Sequence, residues 1–147
     1  MRWWVAVVSA VLFCGAASAE PTWLVIVGNP EDPIADTVLV DAASIRTEAD
    51  GSRQLVIRVN RASTRRSPIT GQVFRSYSAE VEIDCRTKVG LFKRVDYFDG
   101  PLWKGHSFSS DVSQINPRSH LAFRGMQPNP APRIIRAACT TRTEGRP

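Results

Sequence analysis

His106 and His120 are the two histidines of this chain, and either could act as a general base if a nucleophile and an orienting carboxylate stood at a fixed spacing. Neither has such neighbours. His106 lies in Trp103-Lys104-Gly105-His106-Ser107 on a predicted strand, and His120 in an irregular stretch, so both read as surface residues. No serine has the G-x-S-x-G setting of a nucleophile elbow, and neither Cys85 nor Cys139 has catalytic surroundings. Glu80, Glu82 and Asp84 alternate along one segment. Paired carboxylates can do acid–base work, but acids at every second position describe the wet side of a sheet, facing basic residues such as Arg94 on a neighbouring strand. A metal site would need more ligands than two distant cysteines and two scattered histidines. These residue types therefore predict no catalytic centre, no metal and no cofactor, and a protein that is not an enzyme.

Concentrated positive charge is the more informative chemistry. Arg61, Arg65 and Arg66 cluster in what reads as one polar loop, and Arg133, Arg136, Arg142 and Arg146 crowd the C-terminal end. Guanidinium groups bind carboxylates, sulfates and phosphates through a fixed fork of donors. Arg61, Arg65, Arg66, Arg133 and Arg136 are thus the candidate contacts for a polyanion or an acidic partner.

The compartment follows from the start of the chain. Met1-Arg2 is positive, Trp3 to Cys14 is almost wholly apolar, and Ala17-Ser18-Ala19 has the small-x-small form of a cleavage site. Residues 1–19 are expected to be a secretory signal peptide, with a mature chain beginning at Glu20. Cys14 sits where a lipidated cysteine would stand, but Phe13 precedes it where a lipoprotein peptidase requires a small residue. Without residues 1–19 the chain has 128 of its 147 residues, a single domain's worth. The loss of Arg2 leaves 18 basic against 14 acidic residues, a net charge of +4. No further apolar stretch is long enough to span a bilayer. An exported chain without a recognised nucleic-acid motif is expected to bind no nucleic acid; a protein or acidic glycan partner fits better, and self-association into a homodimer stays open. Only Cys85 and Cys139 remain of three cysteines. In an oxidising compartment two cysteines are most simply a disulfide, the alternatives being free thiols or part of a metal site.

The elements that must position these residues are mostly strands. Trp23–Val27 is a short apolar run, closed by Asn29-Pro30-Glu31-Asp32-Pro33; Thr37–Asp41 is β-branched, with a corner at Asp41–Ile45. From Gln54 to Arg61, Leu55, Ile57 and Val59 share one face, while Val56 interrupts the polar other. Ala62–Gly71 reads as a polar, arginine-rich connection. The longest strand, Val73–Cys85, places Val73, Tyr77, Ala79, Val81, Ile83 and Cys85 on one parity and Ser76, Ser78, Glu80, Glu82 and Asp84 on the other. Val89 to Tyr97 repeats the pattern after a turn at Arg86-Thr87, and Leu102–Ser109 makes a sixth strand. Asp111–Asn129 reads as irregular. A short helix then begins near Asn129 or Pro130 with Ile134, Ile135, Ala138 and Cys139 along one face. The fold class is α+β: a curved antiparallel sheet of about six strands with a C-terminal helix packed on it.

The order of these features resembles the surface-adhesin protein E family of proteobacteria. The similarity lies in Trp23, the corner Val40-Asp41-Ala42-Ala43-Ser44-Ile45, the tyrosine-bearing strand from Tyr77 to Cys85, the segment Ile115-Asn116-Pro117-Arg118-Ser119, and the helix carrying Cys139. The resemblance implies a six-stranded sheet with a C-terminal helix, an envelope or surface location and, as in the lipid-anchored founding member, adhesion to host matrix proteins. The expectation is an exported, non-enzymatic, adhesin-like binding protein, periplasmic or at the cell surface. The alternative is a small periplasmic enzyme or enzyme inhibitor using the concave side of the sheet, which a deep pocket holding His106 beside a carboxylate would mark.

Overall fold

A computed structural model describes residues 19–142. The expected leader, apart from Ala19, and Arg146 lie outside the described residues. Six strands follow one another in a meander: β1 (Trp23–Val27), β2 (Thr37–Thr47), β3 (Arg53–Arg66), β4 (Val73–Asp84), β5 (Val89–Phe98) and β6 (Ser107–Asp111). Every neighbouring pair is antiparallel and the spatial order equals the chain order. Two helices follow, α1 (Val112–Ile115) and α2 (Ala131–Thr140).

Alternation builds one dry face. Val38 and Val40 of β2, Leu55, Ile57 and Val59 of β3, Ala79, Val81 and Ile83 of β4 and Val95 of β5 are buried together. The helix α2 lies over this face, against β2, β3 and β5, and contributes the fully buried Ile134 and Ala138. Asn129 accepts a hydrogen bond from the Ala131 amide at 3.1 Å, satisfying one of the free donors at the start of α2. The Cys85–Cys139 disulfide is present, with Cα atoms 5.7 Å apart, and ties the far end of α2 to the end of β4.

Several expected boundaries shift, each for a local reason. The corner at Asp41–Ile45 is a bulge inside β2, where the register jumps between Asp41 and Arg46. There Asp41 accepts the amides of Thr22 and Ala43, and Ser44 Oγ takes the Val56 amide, so the ladder continues through side chains. The strand β3 runs on to Arg66, so Arg61, Arg65 and Arg66 stand on a strand and not in a loop. A long bulge makes this possible: between Asn60 and Arg65 four residues of β3 face the single Arg75 of β4. Arg75 fills the gap, its Nε donating to the Arg61 carbonyl at 2.7 Å and its Nη2 to the Ala62 carbonyl at 2.9 Å. The same bulge reverses the inward parity at the start of β4, leaving Val73 exposed and burying Phe74. The sixth strand begins at Ser107, not Leu102, because Leu102 and Trp103 adopt left-handed backbone (φ 51° and 60°). Such conformations are costly for large residues. They are held by the Leu102 amide on Asn60 Oδ1 (2.8 Å) and by the Trp103 amide on Ser76 Oγ (2.9 Å). Within the stretch expected to be irregular, Asp111 caps the one-turn α1 by accepting the Gln114 amide. Arg94 stands opposite Glu80 in the register, yet its ion pair is with Asp96 at 3.4 Å, while Glu82 pairs with Lys93.

Candidate functional site

The dry face of β3 is apolar up to Val59 and turns cationic at Arg61. Residues 116–124 run beside the first half of β5, where His120 bridges Leu91, and reach Arg61 through the Arg124 carbonyl. They are anchored to β5 by hydrogen bonds from the Phe92 amide to the Ser119 carbonyl (2.9 Å) and from the Leu121 amide to the Gly90 carbonyl (2.8 Å). Gly90 gives the segment room: a β-carbon there would stand 3.1 Å from Leu121 Cβ. Between this segment and the ends of β3, β4 and β5 opens a cleft of about 650 Å³.

Its floor is aromatic. Phe74, Tyr77, Phe92 and Tyr97 line it, with ring centroids 5.1 Å apart for Phe74 and Tyr97, 5.5 Å for Phe74 and Tyr77, and 6.2 Å for Tyr77 and Phe92. Among the described residues its charged lining is wholly basic: Arg61, Arg65, Arg66, Arg118 and Arg124, with His120, and no aspartate or glutamate. Arg65, Arg66, Arg118, His120 and Arg124 are exposed on the rim.

Arg61 differs from the rest, being only 4% exposed. Its Nε lies 3.2 Å from Asp36 Oδ1, and its Nη2 donates to the Arg124 carbonyl at 3.0 Å. The Nε is nonetheless without an aligned hydrogen bond, while Asp36 Oδ1 accepts the Ala62 amide at 2.9 Å. Arg61 is therefore an ion-paired wall residue and not a free surface contact. Burial raises the pKa of the Tyr77 phenol well above its ordinary value, and the nearby Arg61 charge only partly opposes this. Tyr77 stays a neutral hydrogen-bond donor at any physiological pH.

The structure thus brings Arg65 and Arg66 together with Arg61 and separates them from Arg133 and Arg136. Those two stand on α2. Arg133 donates to the Ile26 carbonyl at 3.3 Å, and Arg136 borders a shallower groove with Lys88, Ile135 and Cys139. Arg118 and Arg124 are cleft residues that spacing did not single out. A signal for them exists: between Asp111 and Glu144 the sequence contains no acidic residue.

His106 does stand beside a carboxylate, Nδ1 to Asp99 Oδ2 at 3.5 Å, but on an open loop where its side chain is 96% exposed. Among the described residues no group of three or more His, Cys, Asp or Glu converges as a metal site. On the outer face of the sheet Arg58 lies between Trp23 and Trp103, 4.5 Å and 5.1 Å from their ring centroids. Burial lowers the Arg58 pKa, with Asp41 opposing, and the rings cover a guanidinium whose Nε has no hydrogen-bond partner. This stack explains why Val56 breaks the polar alternation: the outer face carries a small packed layer of its own.

Fold and cleft together define a small α+β domain, an antiparallel meander backed by a C-terminal helix, with a basic cleft at one end of its inner face. The chain belongs to the surface-adhesin protein E family, whose profile matches residues 23–140. Membership implies an exported or cell-surface location and a part in adhesion. No curated protein and no solved structure gives a significant match. Among the described residues no helix is long and apolar enough to cross a membrane.

Proposed function

We propose that this protein is an exported, non-enzymatic, adhesin-like binding protein of the bacterial envelope or surface, and that it holds an acidic partner, a protein segment or a sulfated glycan, in the cleft of Arg65, Arg66, Arg118 and Arg124. One observation carries the proposal: among the described residues every charged group lining the cleft is cationic. A surface serving only solubility would intersperse the two signs. Family membership supports a binding role, and the histidine–carboxylate pair His106–Asp99 lies on an open loop outside the cleft.

The test is retention of the oxidised protein on immobilised heparin across a salt gradient. Retention should fall as salt rises, since exposed charges are screened over about 10 Å at 0.1 M. The Arg65→Ser/Arg66→Ser/Arg118→Ser variant should elute at much lower salt than an Arg86→Ser/Arg133→Ser/Arg136→Ser control of equal net charge. Equal shifts in the two variants would refute a site and leave only general charge attraction.

A further inference from the structure

The cleft holds more than positive charge, and the excess points to a ligand class. We infer that it is shaped for an oxyanion carried on a flat aromatic ring, an aryl sulfate or aryl phosphate such as a modified tyrosine side chain of a partner protein. This inference rests on reading the cleft as an anion site and goes on to name its ligand.

Three observations support it. First, two guanidinium groups converge on one spot. A β-carbon built on Gly125 would lie 3.8 Å from Arg61 Nη2 and 3.8 Å from Arg65 Nη2, so the two nitrogens are separated by at most twice that distance. Among the described residues Asp36 is the one carboxylate paired with either of them, and it does not line the cleft. Like charges held this close repel in a partly buried wall, and an anion between them turns that repulsion into two charge-assisted contacts.

Second, the phenols present donors. Ser67 Oγ already accepts the amides of Ile69 and Thr70, both at 3.2 Å. Its own proton is then free for Tyr97 Oη, 2.8 Å away, which leaves the Tyr97 hydroxyl proton to donate elsewhere. Tyr97 and the neutral Tyr77 both line the cleft. The sulfate or phosphate group of an ester carries several acceptor oxygens and matches such a set.

Third, the floor suits a ring. Phe74, Tyr77, Phe92 and Tyr97 belong to the core, and a ligand in the cleft would meet the small exposed part of each ring. A phenyl ring entering the cleft can pack edge-to-face or offset on these rings, the arrangement they adopt among themselves. Arg61, being almost wholly buried, meets only an anion carried inward on a slim stem. The cleft volume of about 650 Å³ lies within the range of small-ligand sites.

The experiment titrates the oxidised protein with N-acetyl-O-sulfotyrosine amide, N-acetyl-O-phosphotyrosine amide, N-acetyltyrosine amide, sodium sulfate and a heparin hexasaccharide, by calorimetry at fixed ionic strength. One or both aryl esters should bind one per chain, at least about tenfold tighter than tyrosine amide or sulfate, the scale of one hydrogen bond to a charged group. Which ester prevails identifies the source. Arg65→Gln, on the exposed rim, should weaken the aryl ester about tenfold. Phe92→Leu should weaken it while sparing the hexasaccharide; Arg65→Gln keeps the test decisive if that variant folds poorly. Equal binding of sulfate and aryl sulfate would overturn the aromatic part. Binding of the hexasaccharide alone would overturn the whole inference while leaving the acidic-partner reading intact. If no anion binds, both fall.

Discussion

Removing the disulfide should lower stability greatly while leaving the cleft able to bind. The perturbation is Cys85→Ser/Cys139→Ser, or reduction of the native protein. The bond closes 54 residues of chain. Loop entropy in the unfolded state assigns a closure of this length about 4 kcal/mol, against a total of roughly 5–15 kcal/mol for a domain of this kind. The helix α2 is not held by the bond alone: Ile134 and Ala138 are fully buried, and burying an isoleucine is worth about 1.5–3 kcal/mol. The helix should therefore stay docked at 25 °C and loosen first on heating. A loss of about 3–4 kcal/mol corresponds to a fall in Tm of about 10–15 °C for a chain of this length. The cleft should survive, because residues 116–124 hang from β5 by main-chain bonds at Phe92 and Leu121 and not from α2. The assay is thermal unfolding by circular dichroism with and without dithiothreitol, paired with heparin retention at 25 °C. A Tm unchanged by reduction would refute the picture of a cross-linked helix. Lost retention with an intact sheet signal would show that α2 supports the cleft after all.

Asp36→Ala leaves the buried Arg61 charge without its carboxylate, and should cost about 1–3 kcal/mol in urea unfolding, below the usual range for breaking a buried pair because Asp36 is partly open to water. Gly90→Ala pushes a methyl group to 3.1 Å from Leu121, so it should destabilise by about 1–3 kcal/mol and also weaken retention on heparin by displacing the cleft wall. Hydrogen bonds from Ser113 and the Gln114 amide lower the Asp111 pKa below its ordinary value, outweighing desolvation. Its stabilising contribution is thus complete above the unfolded value of about 3.9 and is lost as pH falls towards the lower folded value, so Asp111→Asn should flatten the acid limb of the Tm–pH profile in that window. N-terminal sequencing of the exported protein should read Glu20-Pro21; an acylated Cys14 would refute cleavage at Ala19.

Alternation in single segments made the strands legible. Leu55, Ile57 and Val59, or Tyr77, Ala79, Val81 and Ile83, can share a dry face only in extended backbone, and Ile134 with Ala138 only on a helix. From these the α+β class, the order of elements and the Cys85–Cys139 pairing could all be read. The cleft could not. It is made where periodicity fails: at the four-against-one bulge after Asn60, which turns Arg61 and Arg65 to the inner face, and along residues 116–124, which have no repeat and are placed by main-chain bonds to β5. Grouping Arg61, Arg65 and Arg66 by nearness in sequence caught three cleft residues but could not know that one was buried against Asp36, nor that Arg118 and Arg124 would join them from the opposite wall. Local pattern reports which side of its own strand a residue takes, because that depends only on backbone geometry. Which residues meet across a cleft depends on bulges, register and long-range main-chain bonds, and those are settled only when the whole sheet has closed on its core.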